Sequence, residues 1–387
     1  MSHPVSGLNP AILVWARERA GLSVVDVAAA LGKSADVVSA WESGQGAPTY
    51  VQLEKLAYSV FKRPLALFFF PEPPDEPDPE RSFRTLPASE LRELSADTRL
   101  KIRDARAMQI GLKELNGGVN PSAHKLWREI RLDPGESVID AVARVRAHLE
   151  IGIDEQRTWR TASDALAQWR RAVEDQGIFV FKNSFKQKDV SGFCLYDAEF
   201  PVVYINNGTA FTRQIFTLFH ELAHLLLGTN GVTKGNDAYI GALSGEERAI
   251  EVYCNRFAAE FLVPSGEFNA RTGNLPVTDE LVARLASEFK VSREVILRRF
   301  LDLRRITREH YQARAAEWKS DFERSRGTAP GGDYYATHAS YLGRRYLDLV
   351  FSRYHQGAID TQQAADYLQV KESSIPGLEQ FLLAGAR

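Results

Sequence analysis

The sequence predicts an α+β protein that is mostly helical: a helical bundle, a linker, a larger domain around a small sheet, and a helical tail. Three observations predict it. The first 70 residues repeat apolar positions at helical spacing between residues that start and stop helices. Residues 71–80, PEPPDEPDPE, hold five prolines and five acids, a composition for a stiff extended segment that joins no core. Between about residues 178 and 205 the apolar period changes to short β-type runs, with helical patterns on either side.

In the bundle, Ser23 reads as an N-cap ahead of Val24, Val27, Ala28 and Leu31, and Gly32 as the stop. Ser34 starts the next piece, with Val37, Val38 and Trp41 as its stripe, and Gly44 to Pro48 end it. Thr49 opens a further helix carrying Leu53, Leu56, Ala57 and Val60. Two short helices joined by a glycine turn inside a five-helix bundle make a helix-turn-helix layout. Beyond the linker, residues 96–115, 137–150 and 162–176 read as amphipathic helices, and 178–181, 192–195 and 202–205 as strands. Helices follow at 211–227, 245–262, 278–289, 292–316 and 338–356, then a short pair ending near Leu382, with a joint at Gly331-Gly332. The expected division is a helix-turn-helix domain over 1–70, a linker over 71–81, the larger domain over 82–330 and the helical extension over 331–387.

The length, 387 residues, exceeds one ordinary compact core. A formal net charge of −2 excludes a whole-protein field that gathers nucleic acid or acidic lipid, so any such contact comes from a local patch. Two cysteines, Cys194 and Cys254, make no disulfide framework. The N-terminus lacks a basic stretch followed by an unbroken apolar core, and no apolar run reaches the ~20 residues of a membrane helix. The expected location is the cytoplasm.

The most informative stretch is His220-Glu221-Leu222-Ala223-His224 within an apolar helical run that stops at Gly228. Histidines four apart share one helix face, so both imidazoles can converge on one ion. The glutamate next to the first histidine then stands beside the ion. There it can take a proton from a water whose pKa zinc lowers to about 7. The six other histidines are scattered singly. A catalytic zinc takes three protein ligands, and the helix at 245–262 offers Glu246, Glu247, Glu251 and Glu260. Glu251 lies on its mostly apolar part, away from the ends. An ion pair with Arg248 or Arg256 is the structural alternative, and Cys254, one turn on, reads as a small core residue that could also turn toward the ion.

These residues resemble the ImmA/IrrE family of metallopeptidases. The resemblance rests on His220-Glu221-x-x-His224 followed by Glu251-x-x-x-Asn255-Arg256-Phe257-Ala258-Ala259 and Leu262-Val263-Pro264. Ser191-Gly192-Phe193, the run 203–207 and Phe83-Arg84-Thr85 are similar to the same family, and residues 9–70 resemble the XRE class of helix-turn-helix domains. The segments 277–301 and 340–382 are similar to the helical extensions of long members. The resemblance implies a zincin-like fold, Zn2+ held by His220, His224 and Glu251, and Glu221 as general base. It also implies a regulatory endopeptidase that cleaves a repressor-type protein, often of the XRE class, in a stress or mobile-element response. Cys254 departs from the family, which more often has alanine there.

Tyr204 and Tyr239 are the candidates for assisting the oxyanion, and a strand near 192–195 is the candidate for pairing with an extended substrate. The basic footprint of residues 1–70 is small, six Lys/Arg against five acids, and the stretch Ser34 to Ser43 holds Asp36 and Glu42 but no base. Lys33, Arg17 and Arg19 are the residues expected to hold a DNA backbone, with Ser34 and Ser39 facing bases. The competing expectation is a DNA-binding regulator whose metallopeptidase-like domain senses or scaffolds without cutting.

Overall fold

The computed structural model describes residues 3–76, 82–83, 85–235, 238–325 and 333–384. The end of the linker, Arg84 and the Gly331-Gly332 joint lie outside the described residues. The chain forms two units, residues 1–104 with 185–187, and residues 105–184 with 188–387.

In the first unit, α1 (Pro10–Arg19) starts with proline at its first position and the Asn9 side chain as its cap. Ser23 and Asp26 close a capping box on α2 (Val24–Leu31), which ends at Gly32 with φ +65°. Three residues on, α3 (Ala35–Glu42) begins, completing the helix-turn-helix. Thr49 and Gln52 box the start of α4 (Tyr50–Glu54), which runs on as a π-helical stretch, Lys55–Phe61. Ile12, Leu13, Val27, Val38, Trp41, Leu53, Leu56 and Phe68 pack the core. Each such side chain contributes about 1.5–3 kcal/mol by leaving water.

In the second unit, helices α5 (Ala96–Leu115, which begins in the first unit), α6 (Val138–Leu149) and α7 (Ala162–Asp175) lead into β1 (Phe179–Asn183), β2 (Val190–Leu195) and β3 (Val202–Asn206). Then come α8 (Phe211–Leu227), β4 (Gly231–Lys234) and α9 (Gly245–Leu262). The sheet order is β1-β3-β2-β4, with β1 and β3 parallel and β2 antiparallel to both of its neighbours. Trp169 of α7 meets Phe219 of α8 edge-on, with ring centroids 4.9 Å apart. On the sheet, Phe193 stacks on Tyr204 at 5.3 Å.

The structure corrects three expectations. The stretch 192–195 is an interior strand hydrogen-bonded on both sides, so it cannot take a further strand by edge addition. The terminal strands are β1 and β4. Residues 292–316 are two helices, Arg293–Asp302 and Arg308–Ser325, because Arg304 turns to φ +57° and Thr307 caps the second. The helix expected at 338–356 starts at Tyr334 and breaks at Gly343, φ +85°, into Tyr334–Leu342 and Arg344–His355. Helices at Thr361–Leu368 and Ile375–Ala384 finish the chain.

One buried cation in this unit costs stability. Lys182 of β1 is 5% exposed, and its ammonium lies over the Phe211 ring, 5.7 Å from the centroid. Burial, and then the charge of Arg170, pull its pKa down to about 8. The unfolded chain therefore binds more protons between pH 8 and about 10.4, so this group makes stability rise with pH through that window. Lys182→Met should raise stability at pH 7 by on the order of 2–3 kcal/mol and flatten that rise. Thermal unfolding at pH 7 and pH 10 checks it, and a lower midpoint at pH 7 for the variant refutes it.

Candidate metal centre

The centre is assembled by two helices and one strand. Gly228, at φ +74°, ends α8 and returns its N–H to the His224 carbonyl. The helix upstream puts the His220 and His224 rings 4.9 Å apart, and their Nε2 atoms 3.1 Å apart. Glu251 approaches from α9, with carboxylate oxygens 3.4 Å from His220 Nε2 and 3.3 Å from His224 Nε2. Among the described residues this is the one set of three metal-ligating side chains whose donor atoms all lie within 4.8 Å of one another. All three are buried.

The outer nitrogens decide what the inner ones offer. His220 Nδ1 lies 3.0 Å from Asn255 Oδ1, an acceptor, so the proton sits on Nδ1 and Nε2 carries a lone pair. Thr229 donates its hydroxyl to the His224 carbonyl at 3.2 Å, and its oxygen, 3.3 Å from His224 Nδ1, is free to accept there. Tyr239 donates to Glu251 Oε2 at 2.7 Å, while Glu251 Oε1 has no hydrogen-bond partner. Two lone pairs and a carboxylate oxygen thus converge in a buried place, an arrangement that a cation stabilises. The residues fit a divalent ion with nitrogen and oxygen ligands.

Glu221, fully buried, stands beside this set. Thr233 of β4 donates to its Oε1 at 2.5 Å, and its Oε2 has no hydrogen-bond partner. Gly231, two residues before Thr233, lies so close that a Cβ there would sit 2.4 Å from His224 Cδ2 and 2.7 Å from Glu221 Oε2. Burial opposes ionisation of Glu251, but the two imidazoles facing it outweigh burial and hold its carboxyl well below the usual range. Burial, then Glu221, push the Cys194 thiol well up. Burial also raises Cys254, against the pull of His224, so both cysteines stay protonated and buried.

Among the other acids of α9, Glu246 and Glu247 are exposed, and Glu260 is held by Ser265 and Arg299. Glu251 faces the histidines and Tyr239, with no ion pair to Arg248 or Arg256. Of the two tyrosines, Tyr204 belongs to the sheet stack and Tyr239 to Glu251. Asn255, Thr229, Thr233 and Gly231 escaped sequence reasoning. Only Asn255, one turn after Glu251 on the same helix, left a signal, as a polar residue on a buried face. In the first unit Lys33, Ser34 and Ser39 are exposed, whereas Arg17 is 14% exposed and held by Glu42 at 2.7 and 3.1 Å.

Residues 173–301 match the family model described as an IrrE N-terminal-like domain. The similarity to an IrrE-type domain is confined to this third of the chain, called the IrrE-like domain below. Residues 13–57 match a helix-turn-helix model. Over 99 residues the chain is 35% identical to the radiation response metalloprotease IrrE of Deinococcus radiodurans. It is 36% identical over 99 residues to the protein of the same name from Deinococcus deserti. The match takes in 25% of this chain and only 30% and 34% of those relatives. The IrrE-like domain contains all four residues of the centre and both flanking β-strands, β2 and β4. No helix among the described residues is long and apolar enough to cross a membrane.

Proposed function

We propose that the IrrE-like domain is a zinc-dependent endopeptidase that cleaves a repressor-type protein and so controls transcription. The observation that carries this reading is the convergence of His220, His224 and Glu251 with a buried carboxylate, Glu221, beside them. Two nitrogens and one carboxylate are the donor set of hydrolytic zinc, and a pure scaffold has no use for Glu221. Zinc bound there supplies Lewis acidity, acidifying water and polarising a carbonyl. Glu221 Oε2 accepts the proton of the attacking water and returns it to the leaving amide nitrogen, which cannot depart as an anion. Asn255 and Thr229 keep the imidazole protons on the outer nitrogens. Tyr239 fixes the carboxylate of Glu251.

A repressor target follows from the company this domain keeps, a helix-turn-helix of the class repressors use, and from relatives named for a radiation response. Metal analysis of the full chain, paired with incubation against repressors encoded beside it, tests the proposal. Stoichiometric zinc and chelator-sensitive cleavage are expected; zinc without cleavage of any such protein favours a sensing or scaffolding regulator.

The helix-turn-helix supports DNA contact of a weak electrostatic kind. Lys33 is the exposed cation next to α3, with Ser34 and Ser39 exposed on α3 and at its start, while Glu42 engages Arg17. A gel shift over a salt series should give a shallow log–log slope of about −1 to −2, and Lys33→Ala should reduce its magnitude by about 1. A steep slope unchanged by that substitution overturns the assignment of these residues.

A further inference from the structure

We propose that Thr233 is a positioning residue that assigns the two oxygens of Glu221 to different tasks. The inference rests on the peptidase reading and adds a residue to it. Thr233 and Gly231 are two apart on β4, so they share one face of the strand, and both meet α8. The opposing register places Gly192 against Thr233 and Cys194 against Gly231. A Cβ at Gly192 would stand 2.5 Å from Thr217 Cγ2 and 2.7 Å from the Tyr204 carbonyl. Glycines at 192 and 231 therefore let α8 sit close on the β2–β4 ribbon. That close seating brings the Thr233 hydroxyl to 2.5 Å from Glu221 Oε1.

A buried carboxylate with one donor has its rotation fixed and its oxygens made unequal. Oε1 is occupied by the hydroxyl, and Oε2, on the side of His224 and Gly231, is left without a partner. Thr233 thus selects Oε2 as the atom that takes the water proton. Its hydroxyl bonds Glu221 and not His220, His224 or Glu251, so it acts through Glu221. The neighbouring residues do not substitute for it: Val232 has no side-chain donor, Lys234 pairs with Asp189 at 2.8 Å, and the Cys194 thiol, a weak donor that also neighbours Glu221, points to the Thr229 carbonyl at 3.8 Å.

The test uses the full zinc-loaded chain, with Thr233→Val, which keeps the shape and removes the donor, and Thr233→Ser, which restores it. The first readout needs no turnover. The carboxylate infrared band of Glu221, isolated as the difference between wild type and Glu221→Gln, should shift in Thr233→Val and return in Thr233→Ser. The second is turnover of a quenched fluorescent peptide pool. There kcat should fall roughly 10–100-fold in Thr233→Val with KM and zinc content unchanged, and recover in Thr233→Ser. Adding Thr233→Val to Glu221→Gln should lower turnover no further, because the carboxylate it positions is already gone. An unshifted band overturns the proposal. So does a shifted band with unchanged kcat, a serine variant as slow as the valine one, or equal losses in both Glu221 backgrounds. Wild type that holds zinc and hydrolyses nothing sinks the peptidase reading instead, and the band still decides whether Thr233 holds Glu221.

Discussion

Glu221→Gln is expected to leave the chain folded and zinc-loaded while lowering peptide hydrolysis about 10²–10⁴-fold. The substitution keeps the shape of a fully buried side chain, and its amide oxygen can still accept from Thr233. What it removes is the lone pair at Oε2 that takes the water proton, together with one negative charge beside the histidines. His220, His224 and Glu251 are untouched, so zinc content measured by metal analysis should match wild type. The loss should fall on kcat, because Glu221 acts on the proton in flight and holds neither ion nor substrate in the ground state. A variant that keeps zinc and cleaves at the wild-type rate removes Glu221 from the mechanism. One that loses zinc shows that its carboxylate belongs to the ligand set.

The second large effect is expected at a residue with no side chain. Gly231→Ala places a Cβ 2.4 Å from His224 Cδ2, 2.6 Å from its Cγ and 2.7 Å from Glu221 Oε2. Real Cβ atoms do not approach so closely, so either β4 retreats or the ring and the carboxylate turn. If β4 retreats, Thr233 leaves Glu221. If the ring turns, His224 Nε2 leaves the convergence with His220 and Glu251. Overpacking of a buried site costs about 1–3 kcal/mol, and a displaced ligand adds a loss of metal affinity of tenfold or more. Gly266→Ala is the control, because its Cβ meets nothing within 4 Å. Thermal unfolding and zinc competition with a chelator should show both losses for Gly231→Ala and neither for the control. A Gly231→Ala chain with wild-type zinc affinity means the strand yields without disturbing the centre.

What was legible in advance is local. Capping boxes at Ser23 and Thr49, the stop at Gly32 and the histidine spacing on α8 each depend on residues within one or two turns, and the structure has them where the pattern puts them. The breaks at Arg304 and Gly343 were missed for a physical reason. A left-handed arginine has no composition signal, and a single glycine inside an apolar period reads as tolerated helix. β4 was missed because Gly-Val-Thr-Lys has one large apolar side chain in four, so its strand state comes from pairing with β2 rather than from its own preference.

The same division runs through the centre. His220, Glu221 and His224 were readable because a helix repeats every 3.6 residues, so four positions in sequence fix one turn in space. Glu251 was readable as the acid on the apolar part of its helix, though only packing chose it over its neighbours. The partners of those four, Asn255, Thr229, Tyr239 and Thr233, lie off the helix turn that each one touches, 35, 5, 12 and 12 residues away in sequence, and no period links the pairs. By itself, then, the sequence determined which side chains can meet an ion and which can carry a proton. The tertiary structure decided which nitrogen and which oxygen each one presents, because a hydrogen bond from a distant residue sets the tautomer of a buried ring and the rotation of a buried carboxylate.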